Sequence, residues 1–472
     1  MKKVFSFIIV VSMLFLGISC SKNGNQRTSG IKGVVIDGGA SVEQEKDSVV
    51  IPVSKVDVSK RTQTLHVFIE NSGSMNGYIN TVSDFQVAIG DALQYMQMSK
   101  KANKKPTYDT IKTYYINQNV REQVRGADED IYQFVQKMLS RDQFRTSGTG
   151  KKDAGTASTD LNEIVKTILG KVDENNTAIL ISDCIYSVDM NKKGVTPAKL
   201  AGCSSLTMRY FEATASKLSP VCLATNIIQL YSPFDGNYWT WDKPTGPAPA
   251  HLRCPRPYYI CVMGTDDNVK VFNRSIRVER LKGYANQFTI SNKDVSVANY
   301  TVMDTWNRKG KYRHGKEESV HSISNVSKTS AGELEFAIGI DLSDFSMSES
   351  DKVDVANYEV TKGNYCISKI VHIDSTILAP ADKILVRNNH CTHAIILTCT
   401  GFPNDLSISV KRDIPKWIRE SSSSDDSDID SDVLEQSKTF GISYFVEGIA
   451  KAYQYMAEDD DNFMTMNVKV NN

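Results

Sequence analysis

The chain has 472 residues and balances 55 Lys and Arg against 55 Asp and Glu, a formal charge of zero. No basic stripe with interleaved aromatics runs along it, which removes nucleic acid from the expected partners. Its length exceeds what one hydrophobic core holds, so two or more domains are expected.

The first residues are Met1, Lys2 and Lys3, followed by an almost unbroken apolar run from Val4 to Gly17 and then Ile18-Ser19-Cys20. This is the form of a secretory signal; the run is shorter than the ~20 residues that cross a bilayer. A cysteine directly after the apolar run resembles a bacterial lipobox, in which the thiol is acylated. That resemblance implies lipidation at Cys20 and a lipoprotein of the outer membrane, periplasmic or surface-exposed. The usual Leu three places before the cysteine is Gly17 here, with Leu16 one place further back; the alternative is ordinary cleavage near Ser19. Residues 21–61 open with a polar stretch too poor in large apolar groups to fold, and they are expected to form a flexible tether. Eight cysteines follow Cys20, in a spacing that gives neither a metal pattern nor a readable disulfide connectivity.

From Thr64 the pattern alternates. A strand over Leu65–Ile69 is apolar enough to be covered on both faces. A helix over 81–99 carries Val82, Phe85, Ile89, Leu93 and Met96 at spacings of three and four. Then come a strand at Ile111–Ile116, helices at Ile131–Leu139 and Leu161–Leu169, a strand at Ala178–Ile181, a helix at Leu206–Leu218 and an apolar run at Val221–Leu230. Strands alternating with helices imply an α/β fold with a doubly wound, mainly parallel sheet over residues 62–275. Tyr231–Pro257, rich in Pro, Gly, Tyr and Trp, reads as an ordered insertion before a last strand at Tyr258–Met263.

Residues 280–472 change character. Short alternating runs at Leu334–Ile340, Tyr365–Ile373 and Ile395–Cys399, separated by polar turns, favour an antiparallel β-sandwich. Ser421–Asp432 contains only Ser and Asp apart from Ile429 and is expected to be a mobile loop. Its alternating aspartates lack the Gly and Glu of a calcium-binding loop. A closing helix over residues 439–456 is expected to dock on the sandwich.

The chemistry is concentrated after the first strand. Glu70-Asn71-Ser72-Gly73-Ser74 places a carboxylate and two hydroxyls at alternate positions around a turn, an oxygen set suited to a hard divalent cation. The glycine-rich stretch Ser147–Gly155 leads to Thr159, just ahead of a helix, and Asp183 follows the strand Ala178–Ile181. All three segments fall at carboxyl ends of strands or beside them, where open α/β sheets bind ligands. In this order they resemble the metal-ion-dependent adhesion site of von Willebrand factor A domains. The family motif is Asp-x-Ser-x-Ser, then a loop Thr, then an Asp after a central strand. Carried over, it implies Glu70, Ser72, Ser74, Thr159 and Asp183 as ligands to Mg²⁺, or to Mn²⁺ or Ca²⁺. Glu70 departs from the family Asp, and its extra methylene moves the carboxylate by about 1 Å, a large error for an octahedral Mg²⁺ shell.

Such a site captures an acidic group of a protein partner and turns nothing over. The expected function is therefore a lipid-anchored envelope binding protein, not an enzyme. The alternative is a structural or assembly component of the envelope whose site has lost its metal through the Glu70 replacement. A hydrolase reading lacks a His or Lys near the motif to activate a nucleophile. His390 and His393 read as surface-strand residues, His66 as a hydrogen-bonded sheet residue, and Asp266-Asp267 and Asp459-Asp460-Asp461 as solvated turns.

Overall fold

β1 (Thr64–Glu70) sends Leu65, Val67 and Ile69 to one face of a sheet and Phe68 to the other, and all four are fully buried. The computed structural model describes residues 63–80, 83–101, 103–146, 160–186, 197–241, 249–293, 296–297, 299–343, 347–411, 413–457 and 462–471. Beyond β1 the sheet contains β2 (Thr110–Ile116), β3 (Val120–Gln123), β4 (Asn176–Ser182), β5 (Leu223–Tyr238), β6 (Ala250–Thr265) and β7 (Tyr284–Ser291), in the order β3-β2-β1-β4-β6-β5-β7. Helices α1 (Asp84–Met98) and α2 (Ile131–Met138) cover the Leu65 face, with α3 (Arg141–Thr146) following α2. Helices α4 (Leu161–Leu169) and α5 (Pro197–Leu218) cover the Phe68 face, and α6 (Asp266–Ser275) follows β6.

The α/β class stands, and the sheet is mixed. β1 runs parallel to both β2 and β4, whereas the β2–β3, β4–β6, β5–β6 and β5–β7 pairings are antiparallel. β5 and β6 are consecutive in the chain and joined across residues 239–249, too short a connection for the crossover that parallel neighbours require. The stretch Tyr231–Pro257 is accordingly no insertion: Tyr231–Tyr238 pairs with Ala250–Pro257 as a long two-stranded ribbon. Pro233, Pro255 and Pro257 obscure it, because proline cannot donate to a ladder. They are accommodated because β4 leaves β6 at Tyr259 and β7 leaves β5 at Leu230, so each ribbon strand has only one neighbour there.

A second half carries two larger sheets and a two-stranded one, Ser422–Ser423 with Thr439–Phe440. Of the larger two, one is ordered Lys311–His314, Ser322–Ser327, Asn462–Asn471, Leu406–Lys411, Tyr358–Lys362; the other Tyr365–His372, His393–Cys399, Glu335–Ile340, Tyr300–Val302. The expected antiparallel sandwich is modified at the C-terminal strand Asn462–Asn471, which runs parallel to Ser322–Ser327.

The expected boundary near residues 275–280 does not divide the fold. β7 lies beyond it yet completes the first sheet, one continuous core joins α4 and α5 to both sandwich sheets, and Asp57–Asn472 forms one unit. The closing helix, Ile442–Met456, packs chiefly on α5 and not on the sandwich. Gly448 makes this possible: a Cβ there would sit 2.5 Å from the Ser204 carbonyl oxygen of α5. Phe211 and Tyr453 meet edge to face at 5.8 Å across the same seam. Among the described residues no helix is long and apolar enough to cross a membrane.

Candidate metal-binding site at the rim of the sheet

Parallel pairing of β1 with β4 sets Ile69 opposite Ile181, so the segments beginning at Glu70 and Ser182 leave the sheet side by side. Glu70 continues the Phe68 face and Ser182 the Leu180 face, and the Ser182 hydroxyl donates to the Glu70 carboxylate. The Cys184 amide in turn donates to Ser182 Oγ at 2.7 Å. β1 closes with Asn71 N donating to Ile116 O, and the chain then enters a 3-10 turn over Ser74–Tyr78. Ser72 Oγ and Ser74 Oγ are 3.1 Å apart and share one hydrogen bond.

The glycine that shapes this turn is not Gly73, whose φ of −60° any residue adopts. It is Gly77, where a Cβ would lie 2.2 Å from Phe234 of the ribbon. The hydroxyl turn is thus seated directly on the β5–β6 ribbon, with Tyr78 meeting Phe234 edge-on at 5.0 Å and donating to the Pro257 carbonyl.

Asp183 faces this turn from β4 and is 2% exposed. Its Oδ1 accepts from the Ile185 amide at 3.3 Å, while its Oδ2 is buried without a hydrogen-bond partner. Burial pushes the Asp183 carboxyl above the usual carboxylate range, against the Ser74 hydroxyl, the Ile185 amide and the Arg256 guanidinium, which draw it down. Arg256 itself is 1% exposed and comes from the ribbon. Its Nη1 donates to the Gln436 carbonyl at 2.7 Å and its Nη2 to the Lys438 carbonyl at 3.1 Å, and its guanidinium lies 4.5 Å above the Tyr238 ring. Burial opposes its charge, but Tyr238, Tyr78 and Asp183 hold the guanidinium protonated.

Four of the five expected site residues therefore lie at the ends of β1 and β4: Ser74 is brought to Ser72 and Asp183, while the Glu70 carboxylate faces Ser182. Thr159 and the lipidation site Cys20 lie outside the described residues. The helix that Thr159 precedes is capped by Asp160, whose carboxylate accepts from Asn162 N at 2.8 Å. Among the described residues no cluster of three or more His, Cys, Asp or Glu side chains is arranged to hold a metal ion. A cation here would depend on the Ser72 and Ser74 hydroxyls beside the two carboxylates. The orphaned Asp183 oxygen fits such an ion, because a buried carboxylate oxygen without a donor is costly.

Sequence reasoning missed Ser182, Arg256 and Asp426. Asp426 lies in the Ser/Asp segment, which is packed against the ribbon: its carboxylate, 2% exposed, accepts from Tyr238 Oη at 2.6 Å and from Trp241 N at 2.9 Å. Ile429 is buried in the core beside it. The expected mobile loop is instead held in place, and the sequence conceals this because its anchoring partners, Tyr238 and Trp241, lie some 185 positions away. Arg256 carried no local signal of its own, since His251 and Arg253 stand in the same stretch.

The remaining candidates resolve simply. His66 is buried in the sheet, with Nδ1 3.2 Å from Tyr114 Oη. His393 is 1% exposed and not a surface residue, whereas His390 lies in an exposed turn with φ +52°. Asp266 is no solvated turn: it opens α6 and pairs with Lys270 at 2.8 Å. Asp459-Asp460-Asp461 lies outside the described residues. Compared with models of protein families, with curated proteins and with solved structures, the chain matches none of them.

Proposed function

We propose that this rim binds a divalent cation and, through it, an acidic group of a protein partner, in the manner of a von Willebrand factor A-like adhesion site. The observation that carries the reading is the buried Asp183 oxygen without a donor, facing a pair of serine hydroxyls. Charge supports it. Glu70, Asp183 and Asp426 are buried carboxyl groups in this region, and Arg256 is the one buried Lys or Arg among the described residues. An excess of buried negative charge favours either protonation or a cation. Ser72, Ser74 and Asp183 would hold the ion, with Glu70 reaching it directly or through water, and Thr159 the remaining family ligand. Mg²⁺ or Mn²⁺ suits these hard oxygen donors, and Ca²⁺ tolerates the longer Glu70 side chain better. The ion would supply an open coordination position for a carboxylate. The reading is capture and not turnover, supported by hydroxyls whose partners are each other and Asp183.

The basic, apolar, cysteine-ended N-terminus adds that the protein is held at the outer membrane through lipid on Cys20. Radiolabelled palmitate incorporation, lost in Cys20→Ala, tests that part.

Arg256 favours a second reading, a structural or assembly component without metal, since its fixed positive charge stands near Asp183 permanently. Thermal unfolding separates the two. A ligand that binds only the folded chain must raise its stability, so millimolar Mg²⁺, Mn²⁺ or Ca²⁺ is expected to raise Tm, and Asp183→Ala to abolish the rise. An unchanged Tm with all three ions, together with partner binding that persists in excess EDTA, leaves the structural reading.

A further inference from the structure

Residues 421–441 form a loop whose ends meet. Thr439 N donates to Ser421 O at 2.9 Å and Gly441 N to Ser423 O at 2.8 Å, while Val433 and Leu434 at its outer end are 77% and 73% exposed. The closed ends pair Ser422–Ser423 with Thr439–Phe440, and a short helix, Val433–Gln436, lies between them. Its body is fastened to the elements that build the Asp183 rim. Asp426 accepts from Tyr238 and Trp241, Asp425 accepts from Trp241 Nε1 at 2.7 Å, and Ser421 Oγ accepts from Gln229 Nε2 at 2.8 Å. Phe440 O accepts from the Tyr186 amide at 3.2 Å, three residues beyond Asp183. The two carbonyls that Arg256 clasps, Gln436 and Lys438, belong to the same loop.

We propose that the 421–441 loop is a lid on the Asp183 rim, held shut by Arg256 and loosened when a divalent cation occupies the rim. The inference rests on the cation reading above. The Arg256 guanidinium is buried and gripped by two loop carbonyls, and it lies in the field of Tyr238, Tyr78 and Asp183. A cation at Asp183 takes up that carboxylate's charge and replaces attraction by repulsion, so the cost of keeping the guanidinium from water rises. Opening the loop is the movement that hydrates it, because loop carbonyls are its hydrogen-bond partners. Coupling of this kind is reciprocal: the closed loop weakens cation binding by the factor by which the cation loosens the loop.

Arg256 acts as a positioning residue, so the test reads the loop and the ion separately. Isothermal titration calorimetry with MnCl₂ and MgCl₂ measures binding, and amide hydrogen exchange reads the Thr439 and Gly441 amides that close the loop. At saturating cation, exchange there is expected to quicken about tenfold or more, while the amides of β1 and β4 stay protected. Arg256→Lys keeps the charge but cannot span two carbonyls; it is expected to bind cation with no change in loop exchange. Trp241→Phe, which removes the bond to Asp425 together with part of the indole's packing on the core, covers the case in which the Arg256 variant fails to fold. It is expected to quicken metal-free loop exchange and tighten cation binding by roughly threefold. Binding with unchanged or slower loop exchange overturns the lid and leaves the cation reading intact. Absence of both binding heat and any Tm rise overturns the two together.

Discussion

Asp183 and Asp382 are both buried carboxylates, 2% and 0% exposed, in surroundings that differ in kind. Asp382 opens the helix Pro380–Asn388 of the sandwich half and is saturated with donors. It accepts from Asp304 N at 2.6 Å, Thr305 N at 3.2 Å, Thr305 Oγ1 at 2.5 Å and Trp306 N at 3.0 Å. Asp183 has the Ile185 amide on Oδ1 and the Ser74 hydroxyl beside it, and its Oδ2 has no hydrogen-bond partner. The first carboxylate ties a loop to a helix and has no capacity left for a ligand. The second is held at a rim with an oxygen to spare, and that difference in saturation, not burial, separates the structural acid from the candidate ligand.

The largest effect is expected from breaking the saturated one. Asp382→Ala leaves three backbone amides and a hydroxyl without their acceptor, each costing about 1–3 kcal/mol where it stays dry. A loss of roughly 3–5 kcal/mol and a lower denaturation midpoint follow, the same with or without divalent cation. Asp183→Asn should behave oppositely. In EDTA it changes stability by less than about 1 kcal/mol, since the carboxylate it removes is poorly solvated. With cation at a hundred times its Kd, the native chain gains about 2.7 kcal/mol that the variant does not. Equal losses for the two variants in EDTA would erase the distinction.

Gly77→Ala probes the support beneath the rim. The new Cβ meets the Phe234 ring, which is buried and edge-packed on Tyr78, and overpacking against so rigid a neighbour costs about 1–3 kcal/mol. Because Gly77 sits in the turn that carries Ser74, the variant should also weaken cation binding. A stability loss with unchanged affinity would show that the ribbon supports the fold but not the site.

How much of this was legible follows from the range of the interactions. β1, β4, α1 and α4 emerged within a residue or three of their ends, because each is an apolar period written in local sequence. The Glu70, Ser72, Ser74 and Asp183 rim was legible for the same reason: each residue abuts such an element. The ribbon was not, since its prolines deny the local strand signal and only the loss of β4 and β7 as neighbours explains them. Arg256, Asp426 and the placement of the closing helix on α5 depend on partners far away in sequence, so no local pattern carries them. Glu70 is the residue on which resemblance and structure bear together: its carboxylate takes the Ser182 hydroxyl, so the longer side chain already has a partner beside the rim.

Acid gives the mildest test, and it acts on the saturated half. His393 is buried in the sandwich, with Nε2 3.2 Å from Glu349 Oε2 and Nδ1 2.9 Å from Thr392 Oγ1. Burial holds its pKa below the ordinary 6.5, although Glu349 pulls the other way. Burial would raise the Glu349 carboxyl, but Lys352 and His393 carry it below 4.5. For a histidine with a lowered pKa the unfolded chain takes up the proton first. Its contribution is therefore complete above pH 6.5 and is lost as pH falls from there to the folded-state value. Glu349 adds a loss of the same sign that starts near pH 4.5; its side chain is 66% exposed, so solvent screens most of it. One proton sets a ceiling of about 1.4 kcal/mol per pH unit on the His393 slope. Denaturant unfolding between pH 5 and 7 should show this decline in the native chain and a flatter profile in His393→Gln. A profile in the variant as steep as the native one would move the acid sensitivity away from the sandwich and toward His66 of β1, whose pKa burial also lowers, and not toward Asp183, whose raised pKa acts in the opposite direction.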